Sequence, residues 1–471
     1  MPNLYSIIDR NIIFPIAEIF NKSSILYEYK KLMTSDWYSK DMLQELQRKK
    51  LQALIKHCYH NVPFYNKIFN DLSLRPDDIQ NVEDLCKLPI LTKQIIRNNY
   101  EQIISIDAYK RITKNHSTGG STGTPLQFKT DVRHWSSQWA AILRSWSWYG
   151  FNLGEKIFTL GGHSLVKEKK SLNKNDIFDR YMMRNFKYSS SNMKEEDLRF
   201  YYRSLMRLHP KAIRGYGSSI FVLANYIYDN QLSIPNLKLI ITTGEVLLPT
   251  YRNKIQEVFH VPIYNNYGAG DGGISSFECY MHEGLHISEE KCIIEICDAE
   301  GKSLPEGEFG RVITTDLENY AFPFIRYDVG DMSYIKRNFC SCGRKSKLFG
   351  EVLGRSGKLL YSKDGIPISP TILPILLYPD LDYNKLENQI LYNKIDRYQF
   401  MQDKLGNITI LLKMKDNKDN IKSNYNYIID NFKNTFIGSK ITLNFVSEIH
   451  NLPSGKEDYV ISEFNIDKNK L

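Results

Sequence analysis

The 471-residue sequence has no run near the roughly 20 consecutive apolar residues of a membrane span; its best, Ile372 to Tyr378, is interrupted by Pro374. The opening stretch MPNLYSIIDRNIIFPIAEIF is broken by Asp9, Arg10 and Glu18 and shows no small-residue cleavage site, so no secretory signal is expected. Cysteine is scarce. The seven cysteines are scattered and odd in number, which speaks against a disulfide framework and for a reducing, cytoplasmic setting. G-x-S-x-G elbows, H-E-x-x-H helices and G-x-G-x-x-G turns are also missing, which removes three common enzyme signatures. A block of basic charge is lacking too. Lys and Arg outnumber Asp and Glu by 62 to 53, for a net charge of +9, but the cations alternate with acids in LQELQRKKLQALIK and KNKIDRYQFMQDK. No nucleic-acid partner is expected from that pattern.

What is present suits a globular chain, 42% hydrophobic and 24% charged, too long for one hydrophobic core. Residues 1 to about 100 read as helical, with apolar residues at helical spacing in MLQELQRKKLQALIKHCY and a helix-like VEDLCKL ending at Pro89. From Arg111 to about Arg355, short apolar runs such as KIFTLGG, LKLIITTGE and VPIYNNYG alternate with helical stretches. That alternation predicts an α/β domain with a largely parallel sheet, whose ligand groups gather at strand carboxyl ends. After Gly354 the pattern changes to a small α+β unit of about 110 residues. The expected division is therefore 1–354 and 355–471.

One segment stands out: Thr118-Gly119-Gly120-Ser121-Thr122-Gly123-Thr124, followed by Pro125. Glycines interleaved with hydroxyl residues let backbone N–H groups converge on an anion while the hydroxyls donate further hydrogen bonds. A Walker-type Gly-Lys-Ser/Thr ending is absent. The order of residues resembles the phosphate loop of adenylate-forming enzymes. Five further pieces follow in the order of that superfamily: HNVPFYNKIF with LPILTKQIIRNNY, TTGEVL with YNNYGAGD, RYDVGD, GRSGK, and LPSGKEDYV. They span residues 55 to about 460 and look most similar to the phenylacetate-CoA ligase branch, with CapK-type proteins of capsular polysaccharide clusters nearest within it.

The resemblance implies a large N-terminal AMP-binding α/β domain, a small C-terminal lid, and an active site in the cleft between them. It implies that residues 118 to 124 clasp the β and γ phosphates of ATP, and that Tyr267 and Gly268, with Gly244 and Glu245, border adenine. Asp271 would hold Mg2+, an oxygen-seeking cation. Asp331 would bind the ribose beside Arg355. Lys456 would meet the α-phosphate and the attacking carboxylate. The implied reaction converts a carboxylic acid and ATP to acyl-AMP and pyrophosphate, then passes the acyl group to CoA. Three positions depart from the family pattern. Thr124 stands where a lysine is frequent, with Lys129 or Arg133 as possible substitutes; Gly270 replaces a hydroxyl residue; and Gly357 occupies the hinge. These departures keep two alternatives in view: a CapK-type protein that activates an acid or amino acid for sugar decoration, and a catalytically silent nucleotide- or partner-binding protein. A homodimer stays open.

Cys279 in CYMHEGLHI and the C-x-C pair Cys340 and Cys342 supply three thiols, and His286 completes a tetrahedral Cys3His zinc set, with His282 as the alternative. Relatives in this branch are expected to carry similar clusters. Trp135, Trp139, Trp146 and Trp148 are either an acyl-pocket wall or core, and their spacing favours core or a partner surface.

Overall fold

The computed structural model describes residues 4–117, 126–161, 178–190, 193–234, 236–352, 360–361, 363, 367–368, 373, 375–377, 394–416, 425–449 and 459–463. The expectations for Thr118 to Thr124, Arg355 and Lys456 lie outside these residues.

The N-terminal region is helical, as its periodicity suggests. Leu43, Gln47, Leu51, Leu54, Ile55 and Cys58 form the buried face of the helix Lys40–Asn61, and Ser39 caps its start by accepting the Met42 N–H. Val62, restricted by the following proline, adopts an extended φ of −122° and ends it. VEDLCKL makes only a short 3-10 stretch, Glu83–Lys87.

Strands β1 (Thr113–Ser117) and β2 (Gln127–Asp131) form an antiparallel hairpin on either side of residues 118–125. Among the described residues eleven strands follow in the same part of the chain: β3 (Ile157–Gly161), β4 (Asn185–Ser189), β5 (Ala212–Gly215), β6 (Leu239–Thr243), β7 (Ile263–Ala269), β8 (Ile274–Glu278), β9 (Leu285–Ile287), β10 (Cys292–Cys297), β11 (Gly310–Asp316), β12 (Tyr327–Ser333) and β13 (Leu348–Phe349). Eight of them build one sheet in the order β13-β9-β8-β7-β6-β5-β3-β4.

That sheet is mixed rather than largely parallel. Strands β4, β3, β5, β6 and β7 run parallel, whereas β7, β8, β9 and β13 pair antiparallel. For β7–β8 and β8–β9 the reason is connection length: residues 270–273 and 279–284 are too few for a crossover, so these strands turn back on themselves. Phe158, Leu160, Ile213, Ile240 and Ile241 are buried in the parallel half. Trp146, on the helix Val132–Trp148, is 1% exposed in this core, and Trp135, Trp139 and Trp148 pack half-buried against it, so the four tryptophans are core. Strands β10, β11 and β12 form a separate three-stranded sheet.

The chain divides into two compact units. The first holds Met1–Leu247, Tyr251–Val329 and Ser333–Val352; the second holds Leu248–Thr250, Gly330–Met332 and Leu353–Leu471. Beyond residue 352, β14 (Leu360–Tyr361) pairs with β15 (Pro367–Ile368). A four-stranded sheet in the order β18-β17-β16-β19 is built from β16 (Ile395–Gln402), β17 (Ile408–Met414), β18 (Ile441–Phe445) and β19 (Val460–Ser462). The helix Asn426–Thr435 buries Ile428 and Phe432, and Phe432 stacks on Phe400 of β16 at 5.4 Å. Strand β16 comes from KIDRYQFMQ, a segment whose charges hide the buried Ile395, Tyr398 and Phe400.

Candidate active site and metal centre

Strand β6 is a run of apolar and β-branched residues that ends at Thr243, and the chain then turns through Gly244 with φ +81°. A Cβ there would lie 2.8 Å from the Tyr216 ring, so the buried Tyr216 requires glycine at this turn. The next residue, Glu245, accepts from the backbone N–H of Ser218 at 3.2 Å and from its hydroxyl at 2.7 Å. Its carboxylate therefore sits on the first turn of the helix Gly217–Asp229, where negative charge is favoured.

On the neighbouring strand β7, Tyr267 is half-buried and meets Phe349 of β13 edge to face at 5.6 Å. Residues 270–273 then reverse the chain into β8. Gly272 and Gly273 have φ of +91° and +74°; a Cβ on the first would lie 2.4 Å from the Thr314 methyl, and on the second 2.5 Å from the Asp316 carboxyl carbon. The turn thus presses its backbone onto β11, and the Thr314 hydroxyl donates to the Gly272 carbonyl at 2.9 Å. This docking brings Asp271 to β12, where the hydroxyl of the buried Tyr327 donates to its Oδ2 at 2.7 Å. Asp331 lies on the same strand, half-buried, and period-2 alternation puts it on the Tyr327 face.

The structure therefore brings Asp271 to the RYDVGD strand and puts Tyr267, Gly268, Gly244 and Glu245 at the ends of adjacent parallel strands. Tyr327 lies within the RYDVGD motif, but its hydrogen bond to Asp271 leaves no signal in the sequence, because it depends on how that strand meets the 270–273 turn. Arg133, offered as a substitute for the missing loop lysine, is engaged by Glu318 at 2.6 Å, and Lys129 donates to Asn115 at 3.1 Å.

At the antiparallel edge, Cys279, His286, Cys340 and Cys342 converge, with their ligand atoms all within 4.8 Å of one another and all four residues buried. The Sγ atoms of Cys279 and Cys340 are 3.5 Å apart, and His286 Nε2 is 3.4 Å from Cys342 Sγ. Sheet register explains the convergence: β13 pairs Leu348 with His286, which brings the 340–342 loop alongside β9. His286 Nδ1 is 2.9 Å from the Ser346 hydroxyl. Burial, helped by the Arg344 and Arg144 charges, lowers the His286 pKa to about 3, so its imidazole is neutral. Burial pushes the Cys342 thiol up, but hydrogen bonds from Arg344 outweigh it and leave the thiol below its ordinary range. His282 is used elsewhere: its Nδ1 pairs with Glu278 at 3.0 Å and its ring stacks on Tyr264. Arg344 lies 4.2 Å over the Trp148 ring and reaches Asp36 at 3.4 Å, which ties the cluster to the N-terminal helices.

No family model matches the chain. Its sequence is 25% identical over 430 residues to Protein CapK of Staphylococcus aureus, covering 89% of each chain. It is 24% identical over 347 residues to a phenylacetate-coenzyme A ligase of Thermus thermophilus, covering 72% of this chain and 76% of that one. The fold matches crystal structures of 2-hydroxyisobutyryl-CoA ligase. In the postadenylation state, with an acyl-AMP bound, the TM-score is 0.73 over 93% of this chain and 92% of that one, at 15% identity. The curated relatives and the shared fold together support the adenylate-forming superfamily. Within that superfamily they support the phenylacetate-CoA ligase and CapK branch, and the fold is like that of the ligases built from an N-terminal domain with a C-terminal lid. No helix among the described residues is long and apolar enough to cross a membrane.

Proposed function

We propose that this chain is an ATP-dependent, AMP-forming acid–CoA ligase acting in the cytoplasm, divided into a body of residues 1–354 and a lid of residues 355–471. The observation that carries the reading is the anchored acid of the 270–273 turn. Asp271 is half-buried and takes one hydrogen bond from Tyr327 on Oδ2, and no described residue donates to its Oδ1. A carboxylate oriented in this way suits Mg2+, which shares its oxygen ligands with substrate phosphates; the ion would neutralise charge on the transferring group. Tyr267 would stack on adenine between the Gly244–Glu245 turn and Gly268. Asp331 would accept the ribose hydroxyls, with Arg355 beside it. The 118–124 loop would donate to the β and γ phosphates. Lys456 would hold the α-phosphate and the attacking carboxylate together, an effect of position and charge.

The four-residue cluster fits Zn2+. Tetrahedral Zn–S bonds of about 2.3 Å imply sulfur separations of about 3.8 Å, close to the spacing found, and a neutral imidazole offers its lone pair. Cys279, Cys340, Cys342 and His286 would hold the ion as a closed structural site, with Ser346 fixing the imidazole from behind.

A second reading concerns the acceptor. The similarity to Protein CapK over 89% of this chain keeps the CapK-type alternative open, in which the acyl group passes to a sugar or amine rather than to CoA. A pyrophosphate-release screen across aryl, fatty and amino acids tests both. Turnover completed by CoA supports the ligase, turnover completed only by a sugar or amine supports decoration, and no ATP-dependent product under any condition overturns both in favour of a silent binder. Lys456→Ala is expected to abolish adenylation while largely sparing transfer from a preformed adenylate; equal loss of both steps would contradict a mobile lid.

A further inference from the structure

A shallow concavity opens in the first unit, and its lining includes none of the turn residues described above. It is lined by Lys40, Lys336, Arg337, Lys345 and Lys347, with Glu289 and Glu306 as the acids and Phe339 and Asn338 beside them. Five cations against two carboxylates leave a surplus of three positive charges even with both acids ionised. In a chain whose basic residues elsewhere alternate with acids, this is a local departure. The start of the helix Lys40–Asn61 contributes Lys40 from its first turn, which also carries Asp41, and Gln44 from its second, bringing the positive end of a 22-residue helix to the same wall.

Two features separate this pocket from a chance meeting of surface lysines. Two of its cations are held in place, Lys336 Nζ donating to the Glu283 carbonyl at 2.5 Å and Arg337 Nε to the Glu306 carbonyl at 3.0 Å, and the backbone N–H of Lys347 donates to the buried Glu289 at 2.8 Å. The segment that carries four of them, 336 to 347, is also the segment that contributes Cys340 and Cys342 to the buried cluster. Phe339, 43% exposed, offers an apolar face at the rim.

We propose that this pocket binds the phosphate group of a small phosphorylated molecule. Phosphate oxyanions are recognised by lysine point charges and arginine hydrogen bonds converging with a helix start, and a phosphate group is small enough to seat in a shallow concavity. The inference does not rest on the ligase reading, because occupancy is read by binding and needs no turnover. Two sources share the chemistry: a free inorganic oxyanion, or the phosphate of a nucleotide-bearing ligand such as CoA.

The test uses the full-length protein at physiological salt, titrated calorimetrically with inorganic phosphate and with adenosine 3′,5′-bisphosphate. Binding at the pocket is expected to persist in Asp331→Ala, which disables only the proposed ribose contact. It should weaken at least about tenfold in Lys40→Glu/Lys345→Glu, whose side chains are exposed. Lys40→Gln/Lys345→Gln provides the same reading with less perturbation, and zinc content and melting temperature report whether either variant stays folded. Bisphosphate binding tighter than phosphate, with the preference lost in Phe339→Ala, identifies a nucleotide-bearing ligand; equal affinity identifies a free oxyanion. Absence of saturable binding by the wild type, or affinity unchanged in the folded Gln variant, overturns the proposal.

Discussion

The two halves of the eight-stranded sheet differ in burial and are used differently: β8, β9 and β13 are buried throughout, whereas β4 and β7 are exposed along part of their length. In the parallel half, β4-β3-β5-β6-β7, the central strands β3 and β6 are mainly apolar, and the groups assigned to the nucleotide sit near or beyond strand ends, at Gly244, Glu245 and Tyr267. In the antiparallel half, β7-β8-β9-β13, tight turns place polar chemistry between and on the strands themselves: Asp271, Cys279 and His286, with the 340–342 loop delivered by β13. Parallel strands need long crossovers and so present their ligands only at their ends. Hairpins can bring residues about 10 positions apart to one spot, because their turns use so few residues. Parallel packing supplies a platform, and the antiparallel edge supplies side chains whose exact identity matters.

Variants in each half sharpen or break that contrast. The largest effect is expected from Asp271→Ala, which should lower adenylation on the order of 10²–10³-fold with little change in melting temperature, as for loss of one group stabilising transition-state charge. Pyrophosphate-release kinetics beside thermal denaturation would check it, and a rate within a few-fold of wild type would remove Asp271 from the site. Next comes Cys342→Ser, where elemental analysis should show zinc falling from about one per chain to near zero, with melting temperature lower by roughly 5 °C or more. A zinc-free wild type with unchanged stability would dissolve the metal half of the comparison.

Glu289, just beyond β9, gives a smaller and pH-dependent effect. Burial raises its pKa from 4.5 to about 7. The folded state therefore holds a proton that the unfolded state releases, so this group's stabilisation is complete below about 4.5 and is lost as pH rises through about 7. Glu289→Gln should leave stability near pH 4.5 unchanged and raise melting temperature by roughly a few degrees at pH 8, measured by differential scanning calorimetry. The smallest effect belongs to the parallel half. Ile241→Val on β6, fully buried, should cost about 1 kcal/mol in denaturant unfolding and leave pyrophosphate release at wild-type rate. A large activity loss there would show that the platform is not passive.

The extent to which this was legible beforehand differs by element. Helix Lys40–Asn61 and strand β6 were readable because one has helical apolar spacing and the other is a short apolar run ending in Thr-Gly. Strand β16 was not, since Asp396, Arg397 and Gln399 dilute its buried Ile395, Tyr398 and Phe400. Tyr267, Asp271 and Asp331 could be nominated because their motifs are contiguous. Tyr327 could not be given its part, because a hydrogen bond to Asp271 depends on two strands meeting, and strand contacts across 56 positions leave no local trace.

The sequence by itself determined the types and order of the elements, the glycine-bearing turns, the motif series that leads to the adenylate-forming superfamily, and the thiols available to a metal. Tertiary structure decided which partners those residues meet. It turned His286 toward the thiols and His282 toward Glu278, and it gathered Lys40 with the cations of 336 to 347 into one pocket. Periodicity and turn chemistry are properties of neighbouring residues and are written along the chain, whereas convergence of distant side chains follows from strand register and core packing.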